Sequence, residues 1–243
     1  VFPEGGLSRD GALRPPRLGL LDYLLRAFDP GGERDLVFVP VGLNYDRVLE
    51  DRALLAEAAG QGRAGALRTG AAATRFALRQ AGLWVLRRWH RFGYACVNFG
   101  SPVSARAWLE ARRLDLRALG KEARQGHVEA FGRELMAAVG RVVPVLPVSL
   151  VATVLLESGG PTSSLELHRL TQDLLRRLSA AGAQVYLPRS DEEYAAAVGL
   201  RMLTLRRLAV ERDGGWVPAP GEEPVLRYYA NSIAHLRGPI QGP

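Results

Sequence analysis

The sequence predicts an α/β layer joined to a mainly α-helical lobe that carries one short β-hairpin. Three observations point there. Two short β-branched and aromatic runs, residues 36–41 and 94–99, alternate with helix-forming stretches in the first half. The second half is a succession of helical segments with recognisable starts. Near its end, Asp213-Gly214 sits between two short extended runs, the turn chemistry of a tight hairpin.

In chain order, Val1-Phe2 is apolar and runs into the Gly5-Gly6 turn, the way a strand ends. A domain seldom starts on the last two residues of a strand, so the chain is expected to be a fragment of a longer product. Its α/β layer is accordingly expected to be incomplete on the N-terminal side. Pro15-Pro16 breaks the chain, and residues 19–28 read as a helix. Residues 36–41, bounded by Gly31-Gly32 and Gly42, read as a buried strand. A polar loop follows near residues 60–68, and an amphipathic helix over residues 74–91. Residues 94–99 read as a second buried strand, closed by Gly100-Ser101-Pro102. Ser104 then caps a helix through Arg113. Strands alternating with helices imply at least partly parallel pairing.

The lobe begins with a helix over residues 121–139. The apolar run 142–156 is interrupted by Pro144 and Pro147. It is shorter than the roughly 20 residues that cross a bilayer, so it reads as a buried connector and helix. Residues 163–181 open with a capping box, Ser163 as cap and Glu166 three residues on. Further helices are expected over residues 191–209 and 222–236, with the hairpin at 210–217 between them. The expected domains are 1–118, the C-terminal part of an α/β domain, and 119–243, the helical lobe.

Composition bounds the function. Hydrophobic residues make up 47% and charged residues 23%, enough apolar material for a packed core. The net charge of +7 comes almost wholly from arginine and suits anionic partners: phosphates, a membrane surface, nucleic acid or an acidic carrier protein. One cysteine, Cys96, excludes an internal disulfide framework and a cysteine-based zinc site, and fits a reducing, cytosolic compartment. The histidines, His90, His127, His168 and His235, show no metal-ligand spacing, so no metal or other cofactor is expected.

The sharpest motif is the opening loop. Glu4-Gly5-Gly6 followed by Ser8-Arg9 places a carboxylate, permissive backbone and a cation at the mouth of a strand. Backbone N–H groups there can approach an anion, and an arginine can pair with phosphate through two bonds. An ordinary glycine turn with surface charges gives the same composition. Order decides between them. The full block reads Phe2-Pro3-Glu4-Gly5-Gly6-Leu7-Ser8-Arg9-Asp10-Gly11-Ala12-Leu13-Arg14-Pro15-Pro16-Arg17. It is followed by Val39-Pro40-Val41-Gly42-Leu43-Asn44-Tyr45-Asp46-Arg47-Val48, by Gly93-Tyr94-Ala95-Cys96-Val97-Asn98-Phe99-Gly100-Ser101-Pro102, and by Tyr228-Tyr229-Ala230-Asn231-Ser232-Ile233-Ala234-His235-Leu236. Four such blocks in this order resemble the bacterial membrane-bound glycerol-3-phosphate 1-O-acyltransferases of the glycerolipid acyltransferase superfamily. The third block and the tail match that large type and not the smaller lysophosphatidate type.

The resemblance implies an acyltransferase-type mixed sheet with flanking helices. It implies transfer of a fatty acyl group from acyl-CoA or acyl carrier protein to the sn-1 hydroxyl of glycerol 3-phosphate, giving lysophosphatidic acid. In that family the glycine loop binds glycerol phosphate, which carries over to Glu4, Gly5, Gly6, Ser8 and Arg9. Many members have arginine where this chain has Leu7. The proline block lies on the acyl-donor side, which makes Val39, Pro40 and Tyr45 candidates there. The catalytic signature His-x4-Asp precedes the glycine loop, so the resemblance places the catalytic pair upstream of Val1, none in this chain, and this chain inactive alone. A peripheral place on the cytoplasmic face of the bacterial membrane follows from the amphiphilic product. Nucleic acid is not expected as a partner. The rivals are an acyltransferase for dihydroxyacetone phosphate and a basic winged-helix-like module that binds DNA through Arg201, Arg206 and Arg207.

Two literal motif matches are set aside. His168 and Asp173 have the His-x4-Asp spacing, but five residues on one helix stand about 140° apart and cannot form a dyad. Gly60-Gln61-Gly62-Arg63-Ala64-Gly65 lacks the preceding strand that a dinucleotide site needs. The mixture of Trp84, Arg87, Arg88, Trp89, His90, Arg91 and Phe92 suits either a membrane interface or a helix with its aromatics inward.

Overall fold

A computed structural model describes residues 2–60 and 93–237. The expected helix over residues 74–91, the aromatic-basic cluster after Trp84 and all but Gly60 of the glycine-rich loop lie outside the described residues.

Helix α1 spans Leu18–Ala27. Two short strands follow, β1 at Val37–Phe38 and β2 at Val41–Tyr45, and then helix α2 at Asp51–Ala58. Strand β3 is Ala95–Phe99 and β4 is Val103–Ser104. Helix α3, Ala105–Arg112, is capped as the sequence predicts: the Ser104 hydroxyl accepts the Ala107 N–H at 3.0 Å. Helix α4 covers Lys121–Val142 and α5 Pro147–Glu157, with proline at its first position. Helix α6, Ser164–Ala180, takes its cap from Ser163, which accepts the Glu166 N–H at 3.2 Å. The Glu166 carboxylate turns to Arg169 instead of returning to the cap, so only half of the capping box forms. Helix α7, Glu192–Leu205, is capped by Asp191. Strands β5, Ala209–Arg212, and β6, Gly215–Pro218, pair across Asp213 and Gly214, whose φ angles of 50° and 75° are what a tight hairpin turn requires. Helix α8, Glu223–Asn231, is shorter than expected and gives way to a 3₁₀ turn at Ala234–Leu236.

Two expectations for the strands need correcting. The first is pairing. Strand β2 runs antiparallel to β3, with Val41 opposite Phe99 and Tyr45 opposite Ala95, and β1 runs antiparallel to β4. Instead of one mixed sheet, the described residues hold small antiparallel two-stranded sheets. A helix between strands permits a parallel crossover but does not impose one. The parallel contact among the described residues is an isolated bridge between Val145 and Val185.

The second correction concerns extent and burial. The strand expected over residues 36–41 is divided into β1 and the start of β2, and both that run and β3 alternate instead of lying buried on two faces. One face of β2–β3, carrying Gly42, Asn44 and Asn98, packs on the end of α4. A Cβ on Gly42 would lie 2.3 Å from the Val142 carbonyl oxygen, which is why the strand has glycine there. Asn44 donates to the Pro144 carbonyl at 2.7 Å and Asn98 to that of Val142 at 3.2 Å. The other face presents Val41, Leu43, Tyr45, Val97 and Phe99, all exposed.

Among the described residues the core falls into two clusters. Leu21 and Leu25 of α1, Trp108 and Leu109 of α3, and Val128 and Phe131 of α4 form one, with the Trp108 and Phe131 rings 4.9 Å apart. The other gathers α5, α6, α7, the hairpin and α8. Helix α5 is its centre, buried on all sides from Pro147 to Leu155, the pattern of a helix apolar all round.

Candidate functional site

The glycine loop closes on itself before it touches anything else. The Gly5 N–H reaches the Phe2 carbonyl at 3.0 Å and the Arg17 N–H reaches that of Pro3 at 2.8 Å. Gly5 has φ 79°, and a Cβ there would strike the Arg17 side chain, so the glycine is required. Glu4 accepts the Arg14 N–H at 3.1 Å. Burial raises its carboxyl above the ordinary range, and that N–H and the Arg14 charge only partly oppose the rise. Glu4 is thus the clasp of the loop.

Asp10, which sequence reasoning passed over, organises the centre. Its Oδ1 lies 3.1 Å from the Ser8 hydroxyl, 3.2 Å from the Ala12 N–H and 3.5 Å from an Arg14 guanidinium nitrogen. Burial alone would raise its carboxyl. The Ala12 and Ser8 hydrogen bonds and the Arg14 charge outweigh that and hold it below its ordinary value. The Asp-Gly pair at 10–11 is the sequence signal that could have found it. The Ser8 hydroxyl is also 2.9 Å from the Ala12 carbonyl, so Ser8 faces inward.

What remains at the surface is the tip, Gly5, Gly6 and Leu7, followed by Arg9. Nothing lies within 4 Å of the Cβ position of Gly6, and Leu7 is 64% exposed. The backbone at the tip is therefore open to an approaching anion, and Arg9 follows it three residues after Gly6. Arg9 is held meanwhile by Glu57 of α2, at 3.0 Å. That partner was not foreseen, because nothing local links residues 9 and 57.

The acyl-side candidates divide. Val39, in the connector between β1 and β2, and Tyr45, the last residue of β2, lie exposed. Pro40 is buried and points the other way, against Gly100, whose N–H donates to the Pro40 carbonyl at 2.8 Å. Asp46, one residue beyond Tyr45, is fully buried. It accepts the Tyr94 N–H at 3.0 Å and the Val148 N–H at the start of α5 at 3.1 Å. Burial pushes its carboxyl up to about 6 against those two bonds.

The tail block links all of this. Asn231 donates to the Asp10 carbonyl at 2.9 Å, and the Tyr228 carbonyl lies against Gly11. The Tyr229 hydroxyl accepts the Val48 N–H at 3.0 Å and donates to Asp51 at 2.7 Å, while Arg206 reaches both Tyr229 and Asp51. Ser232 lies 3.2 Å from the Asn44 amide and 2.9 Å from the Ser149 hydroxyl. The four blocks thus meet at α8, with the third joined through β2–β3 and Asp46.

The family model of the glycerol-3-phosphate acyltransferase C-terminal region matches residues 82–237. The chain belongs to this family. The glycerol-3-phosphate acyltransferase of Alteromonas mediterranea is 28% identical over 255 residues, which takes in 97% of this chain and 29% of the relative. That of Pseudomonas putida strain W619 is 31% identical over 249 residues, 97% of this chain and 28% of the relative. The chain therefore spans less than a third of the length of these curated relatives. In this acyltransferase-family chain the match covers α3 to α8, and the glycine loop lies outside it, tied to α8.

The remaining motifs take structural places. The His168 ring bonds the Ser164 carbonyl at 2.7 Å and Asp173 pairs with Arg169 at 2.8 Å, so the two do not meet. Arg206, offered by the winged-helix rival as a DNA contact, is bound to Asp51 and Tyr229 instead. Among the described residues no helix is long and apolar enough to cross a membrane, and no cluster of His, Cys, Asp and Glu could hold a metal ion.

Proposed function

We propose that this chain is the substrate-loop and C-terminal portion of an enzyme that moves a fatty acyl group from acyl-CoA or acyl carrier protein to the sn-1 hydroxyl of glycerol 3-phosphate. What carries the reading is one observation. A glycine loop edged by Arg9 is clamped to α8, the last helix of the segment that matches the glycerol-3-phosphate acyltransferase C-terminal region. Exposed backbone at Gly6 and the guanidinium of Arg9 suit a phosphate, and Gly5, whose N–H is held by the Phe2 carbonyl, shapes the loop that offers them together with Glu4 and Ser8.

In the reaction, a base takes the proton of the sn-1 hydroxyl, and the oxygen attacks the thioester carbonyl. The tetrahedral intermediate collapses with cleavage of the carbon–sulfur bond, and the proton passes to the departing thiolate. The resemblance puts a His-x4-Asp pair before the glycine loop, and we assign the base to that pair, in the part of the protein that the longer relatives carry beyond this match. The chain alone binds glycerol 3-phosphate and does not turn it over. The net charge of +7 supports a peripheral place on the anionic cytoplasmic face of the membrane, at about 1 kcal/mol per well-placed basic residue. Salt-sensitive co-sedimentation with anionic vesicles checks that placement.

The test is a titration of sn-glycerol 3-phosphate followed by phosphorus NMR. Binding by the chain that is lost in Arg9→Ala supports the reading. Equal binding by Arg9→Ala refutes the phosphate assignment, and tighter binding of dihydroxyacetone phosphate selects the rival substrate.

A further inference from the structure

We infer that Asn231 is a positioning residue for the glycine loop, and that α8 sets where the loop's cation stands. The inference rests on the reading of that loop as the phosphate site. The described hydrogen bonds of residues 2–17 are otherwise internal to the segment: Gly5 to Phe2, Arg17 to Pro3, Arg14 to Glu4, and Ser8 and Ala12 to Asp10. They fix the loop's shape, while Leu13 and Pro16 at its C-terminal end pack beside Gly140 and Gly132 of α4. Nearer the tip, the Asn231 amide holds the loop to α8 by donating to the Asp10 carbonyl at 2.9 Å, one residue from Arg9.

The backbone of α8 closes the clamp from the other side. Gly11 has φ 82°, and a Cβ there would lie 1.9 Å from the Tyr228 carbonyl oxygen. No side chain fits, so the loop meets the helix backbone directly. The support is itself fixed. Tyr229 is 1% exposed and bonded to Val48, Asp51 and Arg206, and Ser232 is bonded within α8 and to Ser149. The ionic tie between the loop and α2, Arg9 to Glu57, is solvent-exposed and so contributes little. An anion that takes Arg9 displaces Glu57 and leaves Asn231 as the hydrogen-bonded hold on the loop.

Asn231→Ala removes the donor, and Asn231→Asp sets a carboxylate against the Asp10 carbonyl. Hydrogen exchange of the 243-residue chain reads placement, and phosphorus NMR of sn-glycerol 3-phosphate reads function. Faster exchange confined to the amides of residues 5–17 at unchanged melting temperature is expected. With it comes an affinity about ten-fold weaker, the ratio an ordinary lost hydrogen bond gives, and weaker again for the aspartate. Unchanged exchange in the loop, or unchanged affinity in both variants of a chain that binds, overturns the inference. Faster exchange spread over α8 and α5 also overturns it, since Asn231 would then only support the fold. If the unsubstituted chain binds no glycerol 3-phosphate while loop exchange still responds to Asn231, the clamp stands and the phosphate reading falls.

Discussion

Helix α5 and strand β2 are both apolar segments, and the structure treats them in opposite ways. From Pro147 to Leu155 every residue of α5 is buried, and the two hydroxyl side chains within that stretch, Ser149 and Thr153, find partners in Ser232 and the Ser149 carbonyl. From Val41 to Tyr45, β2 buries alternate residues and leaves the apolar ones in water. The helix belongs to a lobe that closes its own core. Among the described residues the strand belongs to a two-stranded sheet, too small to enclose a core, with a face packed on the α4 terminus. Apolar sequence therefore marks what can be buried, and topology decides what is. The stability of the chain should reside in the lobe and in the polar seam that joins it to α2, with little of it in the outer face of the sheet.

The largest effect is expected where the lobe is fullest. Leu150 is fully buried at the centre of the cluster, so Leu150→Ala should cost ~2–5 kcal/mol from lost burial and the cavity left behind. Urea unfolding measures it. A loss under 1 kcal/mol would mean that the lobe can collapse around the gap, and the contrast with the sheet would weaken.

Asp46 sits where the two regions meet, and its effect is a dependence on pH. Its carboxyl is raised in the folded chain to about 6 from an ordinary 3.8. The folded chain thus holds this proton more tightly than the unfolded one. The stability it contributes is fully present below pH 3.8 and is lost as pH rises through about 6. The difference in unfolding free energy between the unsubstituted chain and Asp46→Asn should therefore be most favourable near pH 4 and shrink towards pH 7. A difference that does not vary over that window would place the carboxyl in water.

The seam comes next. The Tyr229 hydroxyl serves the Val48 N–H, Asp51 and Arg206 together. Tyr229→Phe keeps the ring packed and leaves the Asp51–Arg206 pair in contact, so the expected cost is ~1–3 kcal/mol for the groups left short of a partner. It should appear as a lower urea midpoint, with the exchange of α2 amides rising before that of α5. If α2 and α5 loosen together, the seam is part of the lobe's core and not a joint between two regions.

Much of this architecture was legible in the sequence, and the reason is local chemistry. Ser104, Ser163 and Asp191 start helices where their side chains reach the next turn, and Asp213-Gly214 turns a hairpin because both residues accept positive φ. The glycine loop was legible as a block of residues in order. Its interior was not. Glu4 and Ser8 read as substrate contacts, yet their bonds go to Arg14, Asp10 and Ala12, which depends on how the loop folds back. The ties that hold the site span 155 residues between Asp51 and Arg206, 178 between Asp51 and Tyr229, and 221 between Asp10 and Asn231. No spacing rule reaches that far. The strands misled for a related reason: a β-branched run states that it can be covered, and carries no record of which side is.

The smallest effect is expected on the open face of the sheet, and it tests the comparison most directly. Phe99 is 72% exposed, opposite Val41 on β2. Phe131, on α4, is fully buried against Trp108 and Phe38. The two residues are chemically identical, so their substitutions separate environment from side chain. Phe131→Ala should cost ~3–5 kcal/mol. Phe99→Ser, which gives up a large ring for a polar group, should change stability by no more than ~0.5 kcal/mol, because the ring is already in water. The pair can be measured side by side in urea at low protein concentration. A cost of 2 kcal/mol or more for Phe99→Ser would show that the face is covered in solution, and the division between a closed lobe and an open sheet would have to be abandoned.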